Sequence, residues 1–294
     1  MKDIIFTGAA VAIVTPFTEE GINFCELKKL IDFNIDNGSD AIVIAGTTGE
    51  SSTMTDEEHR EIIRFTVEYV NKRVPVIAGT GSNDTIYAVE LSKYAESVGA
   101  DALLLVTPYY NKTTQNGLVK HYNYIADRVN IPIILYNVPS RTGVNIAPET
   151  YVELAKHPRI VATKEASGDL SAIARIKSLC KDHLSIYSGN DDQIVPILSL
   201  GGKGVISVLS NIMPKETHEI CSLYFEGKVK ESCELQTKYL DIINSLFIEV
   251  NPIPVKTALG LMGYNVGPLR MPLFPMEDKN LEKLKIELKN NKLI

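Results

Sequence analysis

The chain has 294 residues, 45% of them hydrophobic and 22% charged, a composition typical of a globular protein with a sizeable core. Its net charge of -6, without a run of five like charges, does not suggest nucleic acid or an anionic membrane as a partner. We find no apolar stretch long enough to span a membrane and no signal-peptide pattern, and therefore expect a cytoplasmic protein.

Eight apolar segments rich in β-forming residues recur along the chain. Their hydrophobicity is continuous rather than alternating, which is typical of parallel strands covered on both faces. The segments are residues 11–17, 41–49, 74–81, 100–108, 131–139, 160–167, 184–190 and 204–211.

The intervening segments have the signals of helix starts. Asn23 with Glu26 and Thr55 with Glu58 have the spacing of a capping box. Asp169 can cap a further helix, and Pro148 suits a first helical position. Each of these signals follows a predicted strand, so strands and helices alternate.

This alternation predicts an α/β fold, a (β/α)8 TIM barrel. A doubly wound open sheet is the alternative, but no GxGxxG follows any strand. After Ile212 the strand signal stops and helices are expected, with a boundary at Pro252 and Pro254. We expect residues 1–226 to form the barrel and residues 227–294 a small helical domain packed against it. The expected late helices are residues 214–226, 228–248 and 278–290.

The cysteines are widely separated and form no CxxC pair. They are Cys25, Cys180, Cys221 and Cys233. In a chain of this length, the pattern predicts reduced core residues and no zinc site.

In a barrel of this kind the chemistry lies at the carboxyl ends of the strands. Lys164 falls in the apolar segment IVATKEAS, where its ammonium could either reach solvent along its own stem or be buried. A buried lysine with a lowered pKa could form a Schiff base, whereas an unperturbed pKa of about 10.4 leaves only about 0.04% free amine at pH 7.

Other polar residues follow neighbouring strands. The turn GTTGES, residues 46–51, is either a simple strand-to-helix connection or a small cradle for a carboxylate. Tyr136 is either a core tyrosine or a proton relay. Arg141 is either a surface cation or a bidentate carboxylate ligand. Together with Lys164, and with no HExxH and no run of carboxylates, this set favours amine catalysis on a carbonyl compound bearing carboxylates.

Six motifs resemble the dihydrodipicolinate synthase family, in its order and over nearly the whole chain. They are GTTGES, TPYYNK, ILYNVPSRTG, TKEASG, GGKGVISV and NPIPVK. The resemblance implies a (β/α)8 lyase that condenses pyruvate with L-aspartate-4-semialdehyde, the first committed step towards diaminopimelate and lysine. It implies no cofactor or metal beyond a covalent imine between pyruvate and Lys164.

The resemblance also implies roles for single residues. Thr47, Tyr136 and Tyr110 match the proton relay of the family, in which Tyr110 enters the site from a neighbouring subunit. Tyr109 matches an interface aromatic residue. A homodimer, commonly doubled to a tetramer, is therefore expected.

Four further positions match substrate contacts of the family. Thr48 matches a contact to the carboxylate of pyruvate, and Arg141 matches the residue that receives the carboxylate of the aldehyde. Gly189 and Ile206 match backbone positions that line the pocket.

Two positions depart from the family members that lysine inhibits. Those members have a histidine and a glutamate where this chain has Asp56 and Tyr87, while His59 and Asn83 are retained. Because the glutamate is a plausible partner for the ammonium of the effector, we expect lysine to inhibit weakly or not at all.

The alternatives are N-acetylneuraminate lyase or a 2-keto-3-deoxy-sugar-acid aldolase of the same superfamily, and a non-catalytic binding paralogue. Arg141 and the double threonine favour a dicarboxylate over a polyol. The presence of Lys164, Tyr136, Thr47 and Tyr110 argues against an inactive barrel.

Overall fold

The architecture is a closed parallel barrel with an additional small hairpin. A computed structural model describes residue 2 and residues 4–294. Met1 and Asp3, which belong to the N-terminal segment without a signal-peptide pattern, lie outside the described residues. The strands are β1 (Gly8–Ala12), β2 (Phe17–Thr18), β3 (Gly21–Ile22), β4 (Ala41–Ile44), β5 (Val76–Gly79), β6 (Ala102–Val106), β7 (Ile133–Asn137), β8 (Ile160–Glu165), β9 (Ser185–Ser188) and β10 (Gly204–Ser207). β2 and β3 form the antiparallel hairpin, and the other strands follow the order β1-β10-β9-β8-β7-β6-β5-β4 around the barrel.

The helices alternate with these strands and then continue alone. They are α1 (Phe24–Asp36), α2 (Asp56–Val70), α3 (Thr85–Ser97), α4 (Gln115–Ala126), α5 (Pro139–Thr142), α6 (Pro148–Leu154), α7 (Leu170–Cys180), α8 (Ile194–Ser199), α9 (Pro214–Phe225), α10 (Val229–Lys238), α11 (Leu240–Ser245), α12 (Ile253–Leu261) and α13 (Asp278–Asn290). The predicted TIM barrel is confirmed, because β1 pairs in parallel with both β10 and β4 and so closes the sheet.

The first barrel strand begins earlier than predicted. Residues 8–10 are Gly, Ala and Ala, too small to give an apolar signal, yet Gly8 pairs with Gly204 and Ala9 with Val205. Their place in β1 is set by pairing with a strand almost 200 residues away, which a local pattern does not show.

The helix-start signals were correct with one difference. Thr55 and Glu58 form the complete capping box of α2. Asn23 caps α1 by accepting from the backbone N–H of Glu26, but the Glu26 carboxylate does not return the bond. Instead, the Glu26 carboxylate accepts a hydrogen bond from the backbone N–H of Asn265 at 2.9 Å. A tertiary contact thus replaces the second hydrogen bond of the capping box.

The late helices differ from the prediction at two places. The segment 228–248 is divided into α10 and α11, which meet at Tyr239. α12 was not predicted, since Pro252 and Pro254 suggested only a boundary; both prolines lie at its start, where a missing backbone N–H costs no helical hydrogen bond.

Buried side chains from the barrel strands fill the interior of the barrel. At its amino-terminal end Phe6 stacks on Tyr187, with ring centroids 4.3 Å apart, and the Tyr187 hydroxyl donates to the Phe6 carbonyl at 2.7 Å. Phe6 and Tyr187 close that end with aromatic rings. The other buried interior residues are Ala10, Ala12, Ala41, Val43, Ile77, Ala102, Leu104, Ile134, Tyr136, Val138, Val161, Ala162 and Ile206.

A buried ion pair connects the late helices to the barrel. The Lys256 ammonium on α12 lies 2.7 Å from Glu50, which belongs to the turn after β4, and the two side chains are only 2% and 1% exposed. Glu50 also accepts from the backbone N–H of Arg270, and Lys256 donates to the Pro268 carbonyl. One glutamate thus anchors both α12 and the segment that follows it.

The prediction that all four cysteines are core residues is wrong for two of them. Cys180 and Cys221 are buried, but Cys25 and Cys233 are exposed, and all four thiols are free. Among the helices of the described residues, none has the length and apolar character needed to cross a membrane.

Removing one partner of the Lys256–Glu50 pair should destabilise the fold strongly. Lys256→Met leaves the Glu50 carboxylate buried without its cation, so we expect the free energy of unfolding to fall by about 3–5 kcal/mol. Urea unfolding followed by circular dichroism measures the change. Lys230→Met is the control, because Lys230 pairs with Glu234 at 3.7 Å on the exposed surface and should show no measurable loss. Equal losses in both variants would contradict this role of the buried pair.

Candidate active site

Residues from several strand ends line one small cavity at the carboxyl end of the barrel. The cavity measures about 160 Å³. Since a liquid water occupies about 30 Å³, this is room for a small organic acid. The lining includes predicted site residues from the ends of four different strands, namely Thr47, Thr48, Tyr136, Arg141, Lys164 and Gly189, and also Ser140, Asn190, Phe247 and Asn251.

Lys164 is buried in this cavity and does not reach solvent. It lies on β8 beside Tyr136 of β7, and its side chain is almost fully enclosed. Its Nζ is 4.5 Å from the centre of the Tyr136 ring. Burial lowers the pKa of Lys164 to about 8, with Asp191 opposing the shift and Arg141 adding to it. The amine is therefore much more available for attack than that of an exposed lysine.

Tyr136 is the buried phenol next to this amine. Burial raises the pKa of Tyr136, while Arg141 and the side chain of Thr47 favour the phenolate and oppose the shift. The phenol stays protonated at neutral pH and can donate a proton before it accepts one. The structure thus brings Lys164, Tyr136 and Thr47 together, as the sequence analysis expected.

Arg141 and Thr48 are connected through a residue that the sequence analysis did not single out. The Arg141 guanidinium, on α5, donates from Nη2 to the backbone carbonyl of Asn251 at 3.1 Å. The Asn251 side chain donates from Nδ2 to the Thr48 hydroxyl oxygen at 3.0 Å. Asn251 occurs in the motif NPIPVK, more than 100 residues beyond Arg141, and only folding brings it to the cavity.

Gly189 and Ile206 differ in their relation to the cavity. A Cβ atom at Gly189 would lie 2.7 Å from the Cβ of Ala166 and 3.1 Å from the Cε of Lys164, so a side chain there would push the lysine aside. Ile206 is fully buried among the interior residues of the barrel and is not among the residues that line the cavity.

A polar network supports the opposite face of β8. The Glu165 carboxylate is 1% exposed and accepts from Asn137 at 3.0 Å, from Ser167 at 2.9 Å and from the Tyr151 hydroxyl. Burial raises the pKa of Glu165 and these donors oppose the shift. Because Asn137 ends β7, the network fixes the ends of both strands that carry Tyr136 and Lys164. The only sequence signal was a glutamate adjacent to the lysine.

Tyr110 does not enter the cavity of its own chain. Its side chain is 93% exposed, and its backbone has a φ of 66°, an uncommon conformation for a residue other than glycine. Tyr109 beside it lines a second, more open cavity of about 400 Å³, together with Thr47, His59, Tyr87, Arg141 and others.

Asp56 and Tyr87, the two departures noted in the sequence, contact each other, and Tyr87 lines this second cavity. The Tyr87 hydroxyl donates to Asp56 at 2.9 Å, and Arg60 donates to the same carboxylate at 2.7 Å. Burial, followed by the hydrogen bond to Asp56, raises the pKa of Tyr87 to about 12. His59 pairs with the Gly79 carbonyl at 2.8 Å. The Asp56 carboxylate is therefore already occupied by two donors.

No metal site is apparent in the part of the chain that the structure describes. Residues 2 and 4–294 contain no group of three or more His, Cys, Asp or Glu side chains that could hold a metal ion.

The chain is similar to known proteins over its whole length. A relative from Clostridium perfringens, named 4-hydroxy-tetrahydrodipicolinate synthase, is 63% identical over 290 residues, which cover 99% of this chain and 100% of the relative. The structure of a dihydrodipicolinate synthase from Thermotoga maritima superposes with a TM-score of 0.97 at 43% identity, covering 99% of this chain and 100% of that chain.

A second solved structure bears on assembly. It is described as the first monomeric dihydrodipicolinate synthase variant and has a TM-score of 0.96 at 43% identity, covering 99% of this chain and 98% of that chain. The profile of the dihydrodipicolinate synthetase family matches residues 5–291. With its barrel, its buried Lys164 and this extent of similarity, the chain belongs to the dihydrodipicolinate synthetase family.

Proposed function

We propose that the protein is a lyase with 4-hydroxy-tetrahydrodipicolinate synthase activity, which condenses pyruvate with L-aspartate-4-semialdehyde. The observation that carries the proposal is Lys164, an amine buried in a cavity of small-acid size, with its pKa lowered to about 8. The reaction serves the synthesis of diaminopimelate and lysine.

In the first step, the neutral Nζ of Lys164 attacks the ketone carbon of pyruvate. The ketone oxygen takes up protons and leaves as water, and an imine remains on the lysine. Loss of a proton from the pyruvyl methyl group gives an enamine, whose carbon attacks the aldehyde of the second substrate. Each of these steps moves a proton, so a relay beside the amine accelerates them.

Tyr136 and Thr47 form the part of this relay that the chain itself supplies. Tyr136 lies against the amine, and Thr47 lines the same cavity and interacts with the phenol. Tyr110 is the third member and comes from a second copy of the chain. In support, Tyr110 is exposed and does not line the cavity of its own chain.

Two polar groups at the mouth bind the carboxylates. Thr48 contacts the carboxylate of pyruvate, and Arg141 receives the carboxylate of the aldehyde, where its planar guanidinium can form two parallel hydrogen bonds. Gly189 contributes backbone to the pocket and leaves room for the lysine stem. Ile206, which the resemblance also matched to the pocket, packs among the buried interior residues of the barrel instead.

The working unit is a homodimer, doubled to a tetramer, with Tyr109 at the interface. A relay completed in trans requires at least a dimer. One structural relative is described as a monomeric variant, so the oligomeric state of this chain needs its own measurement.

Three further properties of the protein are its domain bounds, its cofactor requirement and its cellular location. We infer a catalytic barrel at residues 1–226 and a helical domain at residues 227–294, supported by the last barrel strand ending at Ser207 and by helices alone after residue 227. The chemistry needs no cofactor beyond the imine on Lys164. Free cysteines are in keeping with a reducing, cytoplasmic setting.

Pyruvate and a borohydride reagent should label Lys164 in a pH-dependent manner. Because the pKa of Lys164 is about 8, roughly a tenth of the amine is free at pH 7, so imine formation should reach half its maximum near pH 8 and level off above about pH 9. Peptide mass mapping after reduction identifies the modified residue, and the initial rate of labelling gives the profile.

The matched control for this labelling is Lys164→Arg, which keeps a cation but cannot form the imine. An adduct on another lysine, or a rate that still climbs at pH 10, would rule out the mechanism. Turnover of aspartate-4-semialdehyde compared with N-acetylneuraminate then identifies the substrate.

Mixing two inactive variants should restore activity if Tyr110 acts in trans. Tyr110→Phe and Lys164→Ala each break the site, but a hybrid dimer contains one site with both residues intact. Random exchange makes half of the dimers hybrids with one working site of two, so about one quarter of wild-type activity should return. Activity no greater than the sum of the parents would indicate that Tyr110 acts within its own chain or not at all.

Lysine should inhibit the enzyme weakly or not at all. The Asp56 carboxylate is occupied by Tyr87 and Arg60, and no glutamate replaces the missing partner for an ammonium. Initial rates with millimolar lysine test this, and the double variant Asp56→His with Tyr87→Glu should gain sensitivity. A steep loss of wild-type rate at low lysine would show that other residues hold the effector.

A further inference from the structure

Asn251 connects Thr48 and Arg141. In the proposed function, these two residues bind the carboxylates of the substrates. The side-chain Nδ2 of Asn251 donates to the Thr48 hydroxyl oxygen at 3.0 Å, and its backbone carbonyl accepts from Arg141 at 3.1 Å. The two contacts use different atoms of one residue, so the side chain acts on Thr48 and the backbone on Arg141.

The hydrogen bond from Asn251 decides what the Thr48 hydroxyl can do. A threonine hydroxyl has one proton to donate and lone pairs to accept with. The amide of Asn251 is the only hydrogen-bond partner of this oxygen among the described residues, and it uses a lone pair. The hydroxyl proton is therefore left to donate, and Thr48 lines the cavity where an acceptor would bind.

Asn251 is held rigidly in this position. It lies two residues before the start of α12, and Lys256 on that helix pairs with Glu50, two residues beyond Thr48. The start of α12 is thus attached to the turn of residues 46–50 at two points. The Asn251 side chain is buried, so it has little freedom to turn away.

The side-chain amide of Asn251 has only one of its two polar atoms in a hydrogen bond. The Oδ1 atom of Asn251 is buried and has no partner among the described residues. A buried acceptor without a donor is costly, and a smaller or apolar side chain would avoid that cost. The side chain makes one hydrogen bond, to the Thr48 hydroxyl. A residue that only filled space would not need this bond, so the bond points to a role at Thr48.

We propose that Asn251 is a positioning residue for the carboxylate of pyruvate. Its Nδ2 fixes the Thr48 hydroxyl as a hydrogen-bond donor that faces the cavity, and the pyruvate carboxylate accepts this bond before and after imine formation. The inference rests on the proposed function, since it assumes that pyruvate binds beside Lys164.

A double-mutant cycle tests the proposal. Asn251→Ala should raise the KM for pyruvate about fivefold to tenfold, the effect of losing one oriented hydrogen bond. The KM for aspartate-4-semialdehyde should change less than about twofold, because the backbone carbonyl that contacts Arg141 remains. In a Thr48→Val background the same substitution should have no further effect on pyruvate, since Asn251 acts through Thr48.

Half-saturation of reductive labelling by pyruvate provides an independent measure of binding. Asn244→Ala, an exposed asparagine on α11, is the matched control and should leave both KM values unchanged. Asn251→Asp has the same shape but no donor, and it tests the proposal even if Asn251→Ala folds poorly; its KM for pyruvate should rise at least as much.

Three results would overturn the proposal. They are equal rises in both KM values, full additivity with Thr48→Val, and an unchanged pyruvate KM in Asn251→Asp. The last result would mean that the amide oxygen, not the nitrogen, faces Thr48. Failure of wild type and Asn244→Ala to label Lys164 would instead refute the proposed function.

Discussion

Closure of the parallel barrel is the constraint on which the site depends. β1 pairs with β10 on one side and with β4 on the other, so the sheet has no free edge and all eight barrel strands end at the same mouth. Lys164 and Tyr136 become neighbours through the pairing of β8 with β7. Residues far apart in the chain share a cavity because the strands that carry them are registered in one closed sheet.

Burial inside this barrel makes the lysine reactive. Lowering the pKa of Lys164 from 10.5 to about 8 corresponds to about 3 kcal/mol of destabilisation of the ammonium relative to the amine. Asp191 is the buried carboxylate that opposes the shift, and its carboxylate accepts hydrogen bonds from the backbone N–H groups of Val208 and Leu209. The barrel thus supplies a dry environment, while the nearby carboxylate keeps the pKa within the physiological range.

The turn after β4 combines structural and chemical roles within a few residues. Thr47 and Thr48 face the cavity, whereas Glu50 is buried against Lys256 and the backbone of Arg270. The late helices are therefore part of the site rather than a separate appendage, since α12 is anchored where Asn251 reaches Thr48. A change in the anchoring pair would alter both the stability of the fold and the geometry of the mouth.

Much of the fold and of the site could be predicted from the sequence because the responsible forces are local. Continuous apolar segments predicted each barrel strand, and Thr55 and Asp169 predicted helix starts. The position of Lys164 in an apolar strand left two interpretations open, and the polar residues at neighbouring strand ends favoured the buried amine with a lowered pKa. These features depend on residues a few positions apart, or on how costly it is to bury a charge.

The tertiary structure alone decided the contacts between distant segments. Residues 8–10 join β1 only because β10 lies beside them, and Glu26 leaves its capping box for the backbone of Asn265. Asn251 meets Thr48 across 203 positions of sequence, and Glu165 collects donors from Asn137 and Tyr151. No periodicity encodes such pairs, because their partners are set by the packing of whole helices and strands. The sequence determined the barrel and its reactive lysine, and the packed structure determined which groups orient the substrate beside it.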